Sequence, residues 1–264
     1  MKVQANGIDI HCEIEGEGPW VVLTHALACD LGMWDEQVPV LRDRFRVLRF
    51  DTRGHGASSV PPAPYTFEQL TEDIHGLFSA LGIEQAHLVG ISLGGMVAQE
   101  FALAHPRSVA SLVLCDTTSQ YPDGTDKIWQ ERIATVRAGG MAPLVEATLE
   151  RWFTPPFRAA RPDVMARIGA MIRTTPEVGY TGCGAAVPTI STTSRLGAIG
   201  CPTLVVVGEH DAGTPPAMAE TIQRGIPGAD LRVIQSASHL CNIEQPEAFN
   251  ASLLRFLTRV TSRR

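Results

Sequence analysis

The chain has 264 residues, of which 44 % are hydrophobic and 19 % are charged, and its formal net charge is −6. Acidic and basic residues alternate without long runs of one sign, which argues against nucleic acid or an anionic membrane as a partner. The first residues lack the apolar core of a secretion signal, and no stretch approaches about eighteen consecutive apolar residues. We therefore expect a cytoplasmic protein with one α/β domain over residues 1–264.

Metal, redox and phosphate motifs are absent from the sequence. The six cysteines lack C-x-x-C spacing, and there is no H-E-x-x-H motif, Walker loop or G-x-G-x-x-G motif. The cysteines are expected to act as small buried apolar residues. The sequence thus predicts neither a metal nor a cofactor, and it gives no indication of the oligomeric state.

Two patterns near the beginning of the chain predict strands. Ile8–Ile14 alternates between apolar and polar residues, as a half-buried edge strand does, and Trp20–Leu23 is apolar throughout, as in a strand buried on both faces of a parallel sheet. The loop that follows, Thr24–Ala28, leaves the end of a strand at which open α/β sheets bind ligands. Its His25 has two interpretations, a residue that orients this loop or a catalytic base.

A polar loop follows the next predicted strand, Arg46–Phe50. It contains Asp51 and Arg53, together with glycines and a histidine. We interpret Asp51 and Arg53 as a local ion pair that holds the turn rather than as catalytic groups.

The residues after this loop predict a helix with a defined beginning and end. Thr66 stands three residues before Gln69, which is the spacing of a capping box, and apolar residues at helical spacing follow over Phe67–Leu81. Gly82 is expected to end this helix.

A serine between two glycines forms the motif around which the chain is organised. Gly90, Ser92 and Gly94 follow an apolar strand that includes Ala86–Val89, and a run of helix formers continues to about Ala104. The pattern G-x-S-x-G on a sharp strand-to-helix turn is a nucleophile elbow, in which larger residues than glycine would collide across the turn. A serine in a Gly-rich connecting turn is the alternative interpretation.

The alternation of strands and helices stops after the next strand, Val109–Asp116. Residues 117–188 contain no strand-like run, only helical stretches interrupted by proline and glycine. Because they are inserted at the end of the sheet that carries the serine, we expect a helical cap over the site. This segment has slightly more basic than acidic residues, which suits an anionic substrate, although exposed arginines on helix faces explain the same composition.

Two further predicted strands each deliver a chemically active residue. Thr203–Val207 is followed by Asp211, and Asp230–Ile234 is followed by His239. The chain order is therefore serine, acid, histidine, which is the order of the α/β-hydrolases and differs from those of chymotrypsin and subtilisin.

These residues predict a catalytic triad. Ser92 would be the nucleophile and His239 the general base and then the acid, with Asp211 holding the imidazole and stabilising its cation. Asp116 also follows a central strand and is the rival for the acid. We favour Asp211 because its strand directly precedes the one that leads to the histidine.

Several stretches resemble those of the α/β-hydrolase fold family: HALACDLGMW, DTRGHGAS, GISLGG, GEHDAGTPP and ASHLCNIEQPEAF. More narrowly, the chain resembles the 3-oxoadipate enol-lactonases of bacterial aromatic catabolism. This resemblance rests on D-x-x-M-W at Asp30–Trp34, on E-R-W-F-T at Glu150–Thr154, and on Thr175-Pro176 followed by Gly179-Tyr180. The His25-Ala26 pair, in contrast, is closer to general esterases.

The resemblance implies a mostly parallel sheet flanked by helices, with a helical cap inserted between two strands. It also implies a cofactor-free serine hydrolase that opens a small lactone, above all 3-oxoadipate enol-lactone to 3-oxoadipate. The oxyanion hole would be formed by the backbone N–H groups of Leu27 and Leu93. The partner would be a small lactone or ester. The alternatives are a small-acyl carboxylesterase or perhydrolase of the same fold, and a non-catalytic small-molecule receptor.

Two residues of the predicted cap are candidates for binding a substrate carboxylate. Arg132 and Trp152 lie in helical stretches that resemble the lactonases, and a guanidinium or an indole N–H can meet a carboxylate oxygen. Ordinary packing within the cap, or an exposed charge, is the alternative for each residue.

Overall fold

The computed structural model describes residues 1–262, which contain one eight-stranded sheet with the order β1-β2-β4-β3-β5-β6-β7-β8. The pairings of β1 with β2 and of β2 with β4 are antiparallel, and all the others are parallel. The predicted mostly parallel sheet is therefore confirmed. The strands are β1 (Lys2–Ala5), β2 (Ile8–Glu15), β3 (Trp20–Thr24), β4 (Arg46–Phe50), β5 (Ala86–Ile91), β6 (Val109–Cys115), β7 (Thr203–Gly208) and β8 (Asp230–Ile234).

The helices that pack against this sheet are α2, α3 and α9 on the one hand, and α11 with its neighbour α1 on the other. The helices α2, α3 and α9 contact the sheet and its neighbouring turns, and α1 packs on α11, which contacts β6 and β8. In the described part of the chain no helix is both long and apolar enough to cross a membrane. The helices are α1 (Val38–Leu41), α2 (Phe67–Leu81), α3 (Leu93–Ala104), α4 (Thr125–Gly139), α5 (Val145–Trp152), α6 (Pro155–Ala160), α7 (Pro162–Thr174), α8 (Glu177–Ala186), α9 (Pro216–Gly225), α10 (Cys241–Glu244) and α11 (Pro246–Thr261).

Local sequence signals set the boundaries of α2. The Thr66 hydroxyl accepts the Gln69 N–H at 3.2 Å, and the Gln69 side chain accepts the Thr66 N–H at 3.0 Å, so the predicted capping box is present. Gly82 ends the helix in the left-handed conformation with φ 67°. The central strands β5, β6 and β7 are buried along their whole length, as continuous apolar runs of a parallel sheet require.

A helical insertion separates β6 from β7. It contains α4 to α8, and its two ends meet at an isolated antiparallel bridge between Gln120 and Ser191. The insertion leaves the sheet at the carboxyl ends of the strands, which is the edge where β5 also ends. This placement brings the insertion over the turn that carries the serine.

The predicted local ion pair between Asp51 and Arg53 is wrong. Asp51 accepts the backbone N–H groups of Leu31 at 2.8 Å and Ala57 at 2.9 Å, which ties two loops together. Arg53 instead makes two hydrogen bonds of 2.5 Å to Asp73 in α2. Both side chains of this pair are buried, and the two-pronged contact satisfies the guanidinium better than a neighbour within the same turn can.

This buried pair gives a prediction about stability. Replacing Arg53 by methionine leaves the Asp73 carboxylate buried without its cation, and we expect the free energy of unfolding to fall by about 3–5 kcal/mol. Urea denaturation measures the change. Arg224→Ala is the control, because it breaks only the exposed pair with Glu220 in α9 and should cost at most about 0.5 kcal/mol. Equal losses in the two variants would contradict the prediction.

Candidate active site

The turn between β5 and α3 holds Ser92 in an unusual backbone conformation, with φ 54° and ψ −117°. A Cβ atom on Gly90 would collide with the backbone of Gly94, and one on Gly94 would collide with the carbonyl group of Thr24. The two glycines therefore stand where the turn has no room for a side chain. The sharp bend projects the serine away from the sheet edge.

The three residues predicted to form a triad lie within hydrogen-bond distance of one another. His239 Nε2 is 2.9 Å from Ser92 Oγ, and His239 Nδ1 is 2.8 Å from Asp211 Oδ2. The other oxygen, Asp211 Oδ1, accepts the N–H groups of Gly213 at 2.8 Å and Thr214 at 3.0 Å. The carboxylate is thus held from both sides while it faces the imidazole.

Burial and charge act in opposite directions on this pair. Burial disfavours the charged form of Asp211, but the nearby imidazole and the hydrogen bonds from His239 and Thr214 outweigh burial and hold the pKa of Asp211 at about 2. Burial likewise disfavours the imidazolium, but the charge and hydrogen bond of Asp211 raise the pKa of His239 above its ordinary value. The pair therefore favours an ionised Asp211 carboxylate and stabilises the protonated form of the His239 imidazole.

Asp116, the rival for the acid, lies directly after β6 with φ 43°. Its Oδ1 accepts the Gly208 N–H at 2.7 Å. Burial, together with the charge of Asp211, raises the pKa of Asp116 to about 8, so this carboxyl is neutral or only partly ionised at pH 7. Because the hydrogen bond from His239 goes to Asp211, the geometry favours Asp211 as the acid.

Two backbone N–H groups close to Ser92 have no acceptor in the described chain. Leu27, in the loop after β3, lines the same cavity as Ser92, and its N–H donates no hydrogen bond within residues 1–262. Leu93 is the first residue of α3, where the N–H has no partner inside the helix. These are the two donors predicted for the oxyanion hole.

Two buried histidines hold the loop that carries Leu27. His25 donates from Nδ1 to the Ala26 carbonyl at 2.8 Å and accepts the Thr52 N–H at Nε2 at 2.9 Å. His55 Nε2 accepts the Ala28 N–H at 3.2 Å. Burial lowers the pKa of His25, and it lowers that of His55 to about 3, so both rings are neutral and can accept. His25 thus orients the loop and takes no part in the hydrogen bonds around Ser92.

The helical insertion closes a cavity of about 350 Å³ over Ser92 and His239. Within residues 1–262 no group of three or more His, Cys, Asp or Glu side chains is arranged to hold a metal ion. The arginine, tyrosine and tryptophan side chains that the insertion contributes to the cavity are Arg132, Arg151, Tyr121, Tyr180, Trp129 and Trp152.

Both predicted carboxylate-binding candidates line this cavity. The Arg132 guanidinium lies over the Trp129 ring, 4.8 Å from its centroid. The Trp152 ring stacks near the His239 imidazole, with the centroids 6.1 Å apart and an interplanar angle of 28°. Arg151 was not predicted, although it stands next to Trp152 in the E-R-W-F-T stretch.

Glu244 was also not predicted, and it connects the insertion to the loop that bears His239. Its Oε1 accepts the Thr154 N–H at 3.0 Å and the Thr154 hydroxyl, and its Oε2 accepts the Ser238 N–H at 2.8 Å. We call these three residues, Glu244, Thr154 and Ser238, the Glu244 clasp. The only sequence signal for it was the position of Glu244 five residues after the histidine.

Known proteins share this architecture. The family model described as alpha/beta hydrolase fold matches residues 19–246. The 3-oxoadipate enol-lactonase 2 of Acinetobacter baylyi is 32 % identical over 245 residues, covering 93 % of this chain and 91 % of that protein. The enol-lactonase structure from Burkholderia xenovorans LB400 has a TM-score of 0.94 and 37 % identity, covering 98 % of this chain and 100 % of that one. A thermophilic esterase from Thermogutta terrifontis has a TM-score of 0.93 and 34 % identity, with 98 % of both chains covered.

The matched residues, 19–246, include the strands β3 to β8, the serine turn and the insertion. The relatives include lactonases and esterases, and each is more than 30 % identical over more than nine-tenths of this chain. The chain therefore belongs to the α/β-hydrolase fold family.

Proposed function

We propose that the protein is a serine hydrolase that opens a small enol-lactone with a free carboxylate, such as 3-oxoadipate enol-lactone. The observation that carries this proposal is the hydrogen-bonded line from Ser92 through His239 to Asp211, at the base of a cavity that two arginines of the insertion also line. The names of the lactonase relatives point to the same reaction.

The geometry supports a two-step mechanism. Ser92 Oγ attacks the ring carbonyl carbon while His239 Nε2, 2.9 Å away, takes its proton. The N–H groups of Leu27 and Leu93 stabilise the oxyanion of the tetrahedral intermediate. His239 returns the proton to the ring oxygen, which leaves as an enol. Water, activated by His239, then hydrolyses the acyl-enzyme and frees Ser92.

The raised pKa of His239 predicts the pH profile of this reaction. His239 must be neutral to act as the base, so kcat/KM for a neutral ester should increase with pH with a midpoint above 6.5, the ordinary value for histidine. Asp211→Asn removes the charge that raises this pKa, and the midpoint should move to lower pH. A wild-type midpoint at or below 6.5, or one that Asp211→Asn leaves unchanged, would contradict this assignment.

The substrate class can be tested by measuring whether the enzyme prefers an anionic substrate to a neutral one. Removing a carboxylate from water without a partner costs several kcal/mol, so a site for an anionic lactone needs a cation or an N–H donor such as Arg132 or Trp152. We expect wild type to prefer the carboxylated enol-lactone over phenyl acetate in kcat/KM. At least one of Arg132→Gln and Trp152→Phe should lose this preference by about ten- to a hundredfold while it still hydrolyses phenyl acetate.

A carboxylesterase acting on small acyl esters is the second candidate. It is favoured by the His25-Ala26 pair and by the likeness to the Thermogutta terrifontis esterase. If wild type prefers phenyl acetate to the anionic lactone, this function replaces the lactonase.

A further inference from the structure

The loop that bears His239, residues 237–240, contacts the insertion on both sides of the histidine, and we call it the histidine loop. The Ser238 hydroxyl, from the residue before the histidine, lies 3.0 Å from the Arg151 carbonyl oxygen. The Leu240 N–H, from the residue after it, donates to the Trp152 carbonyl at 3.3 Å. Arg151 and Trp152 are the last two residues of α5. The end of this helix therefore supports the backbone that carries the catalytic base.

The histidine loop is also joined to the segment that carries the catalytic acid. The Ser238 hydroxyl lies 3.2 Å from the His210 carbonyl oxygen, and the His210 N–H donates to the Ala237 carbonyl at 2.8 Å. His210 directly precedes Asp211 in the chain. A displacement of Ser238 is therefore expected to disturb both hydrogen bonds of the His239 imidazole.

The Glu244 clasp fixes the distance between the histidine loop and the insertion. The Glu244 side chain is buried, and its Oε2 accepts the Ser238 N–H at 2.8 Å. Its Oε1 accepts the N–H and the hydroxyl of Thr154, which lies just beyond α5. These donors are needed because burying a charge without partners is strongly unfavourable. Glu244 is not among the residues that line the cavity over Ser92, so its effect on the reaction is indirect.

We propose that Glu244 is a positioning residue for His239. It holds the histidine loop on the end of the insertion, in the orientation that places Nε2 against Ser92 and Nδ1 against Asp211. The insertion is then a structural support of the triad as well as the wall of the cavity. The inference rests on the proposed function, because hydrolysis is one of its readouts, and it goes beyond that function by assigning a role to a residue outside the cavity.

Replacing Glu244 by glutamine tests the clasp directly. An amide has only one accepting oxygen, so the N–H of either Ser238 or Thr154 is left without an acceptor. We expect kcat for phenyl acetate to fall by about ten- to a hundredfold, as for the loss of a hydrogen bond to a charged group, and KM to change by less than about threefold. Glu247→Gln is the control, since it makes the same replacement at an exposed position of α11 and should change neither parameter.

Substitutions at Thr154 separate the orientation of the ring from electrostatic effects. The charges that act on His239 include those of Asp211, Asp116 and Arg151, and a change at Thr154 alters none of them. Thr154→Val removes the hydroxyl but keeps the shape of the side chain, whereas Thr154→Ser keeps the hydroxyl. We expect Thr154→Val to lower kcat by about three- to tenfold. It should also move the midpoint of the kcat/KM profile to lower pH, because a looser imidazole loses part of its contact with Asp211. Thr154→Ser should restore both values.

Nuclear magnetic resonance keeps the inference testable apart from catalysis. In protein with isotope-labelled histidine, the signals of His239 are assigned by comparison with His239→Gln, and their titration gives the pKa of this ring. We expect the pKa of the His239 ring to be lower in Thr154→Val than in wild type and unchanged in Thr154→Ser. Thr154→Val also decides the outcome if Glu244→Gln does not fold.

Three results would overturn the inference: a kcat in Glu244→Gln within about twofold of wild type, a loss confined to KM, or a midpoint and ring pKa that Thr154→Val leaves unchanged. If no ester is hydrolysed in a Ser92-dependent way, the proposed function fails. The titration of the His239 ring in Thr154→Val still decides whether the clasp positions it.

Discussion

Replacing Ser92 by alanine should lower kcat for phenyl acetate and for the enol-lactone by roughly 10⁶-fold, with the fold unchanged. Among residues 1–262, no other hydroxyl is placed against His239 Nε2 and against the N–H groups of Leu27 and Leu93. Alanine differs from serine only by the Oγ atom, so the turn between β5 and α3 should accept it. His239→Ala should be about as damaging, because the members of a triad act as a unit.

The measurement is steady-state hydrolysis by purified variants, with circular dichroism to show that each is folded. Ser79→Ala is the matched control, since this serine is exposed on α2 and is not among the residues that line the cavity over Ser92, and it should leave kcat unchanged. Turnover close to wild type in Ser92→Ala or His239→Ala would remove the hydrolase assignment. The alternative function, a non-catalytic small-molecule receptor, would then be favoured.

Asp211→Asn should lower kcat by roughly 10⁴-fold, while Asp116→Asn should change it by less than about tenfold. An amide at position 211 keeps the shape of the side chain but can present an N–H to His239 Nδ1, which favours the wrong tautomer and withdraws the charge that supports the imidazolium. Asp116 is hydrogen-bonded to the Gly208 N–H instead, and its raised pKa leaves it with little negative charge at pH 7.

Kinetics of the two variants on one neutral ester at the same pH distinguish the two acids. The reverse ranking, with Asp116→Asn the more damaging, would place the catalytic acid after β6. Comparable losses in both variants would mean that the two carboxyl groups act together on the imidazole.

Local signals explain which parts of the fold were predictable. The boundaries of α2 follow from a capping box and a glycine within seventeen residues of chain, and the buried strands follow from short apolar runs. The serine turn follows from the close approach of Gly90 to the backbone of Gly94, four residues later. Each of these features depends on residues that are close in the sequence.

The features that were missed depend on contacts between distant segments. The partner of Arg53 is Asp73, on a helix whose approach to the loop cannot be read from the loop itself. Glu244 meets Thr154 ninety residues away, and Arg151 reaches the cavity only because the insertion folds back over the sheet edge. The sequence showed a slightly basic insertion, but it could not show which of its arginines are turned inward.

The Glu244 clasp also limits how this protein can exchange parts with its relatives. A graft that replaced the whole insertion would remove Thr154 from the Glu244 carboxylate. Glu244 also binds the loop that bears His239, so this loop would lose its connection to the insertion. A graft that ended before α5 would keep the clasp and still renew α4, which carries Arg132. To change specificity with the least damage to turnover, a graft should therefore replace only the first half of the insertion. The second half should stay together with residues 238–244 of the same protein.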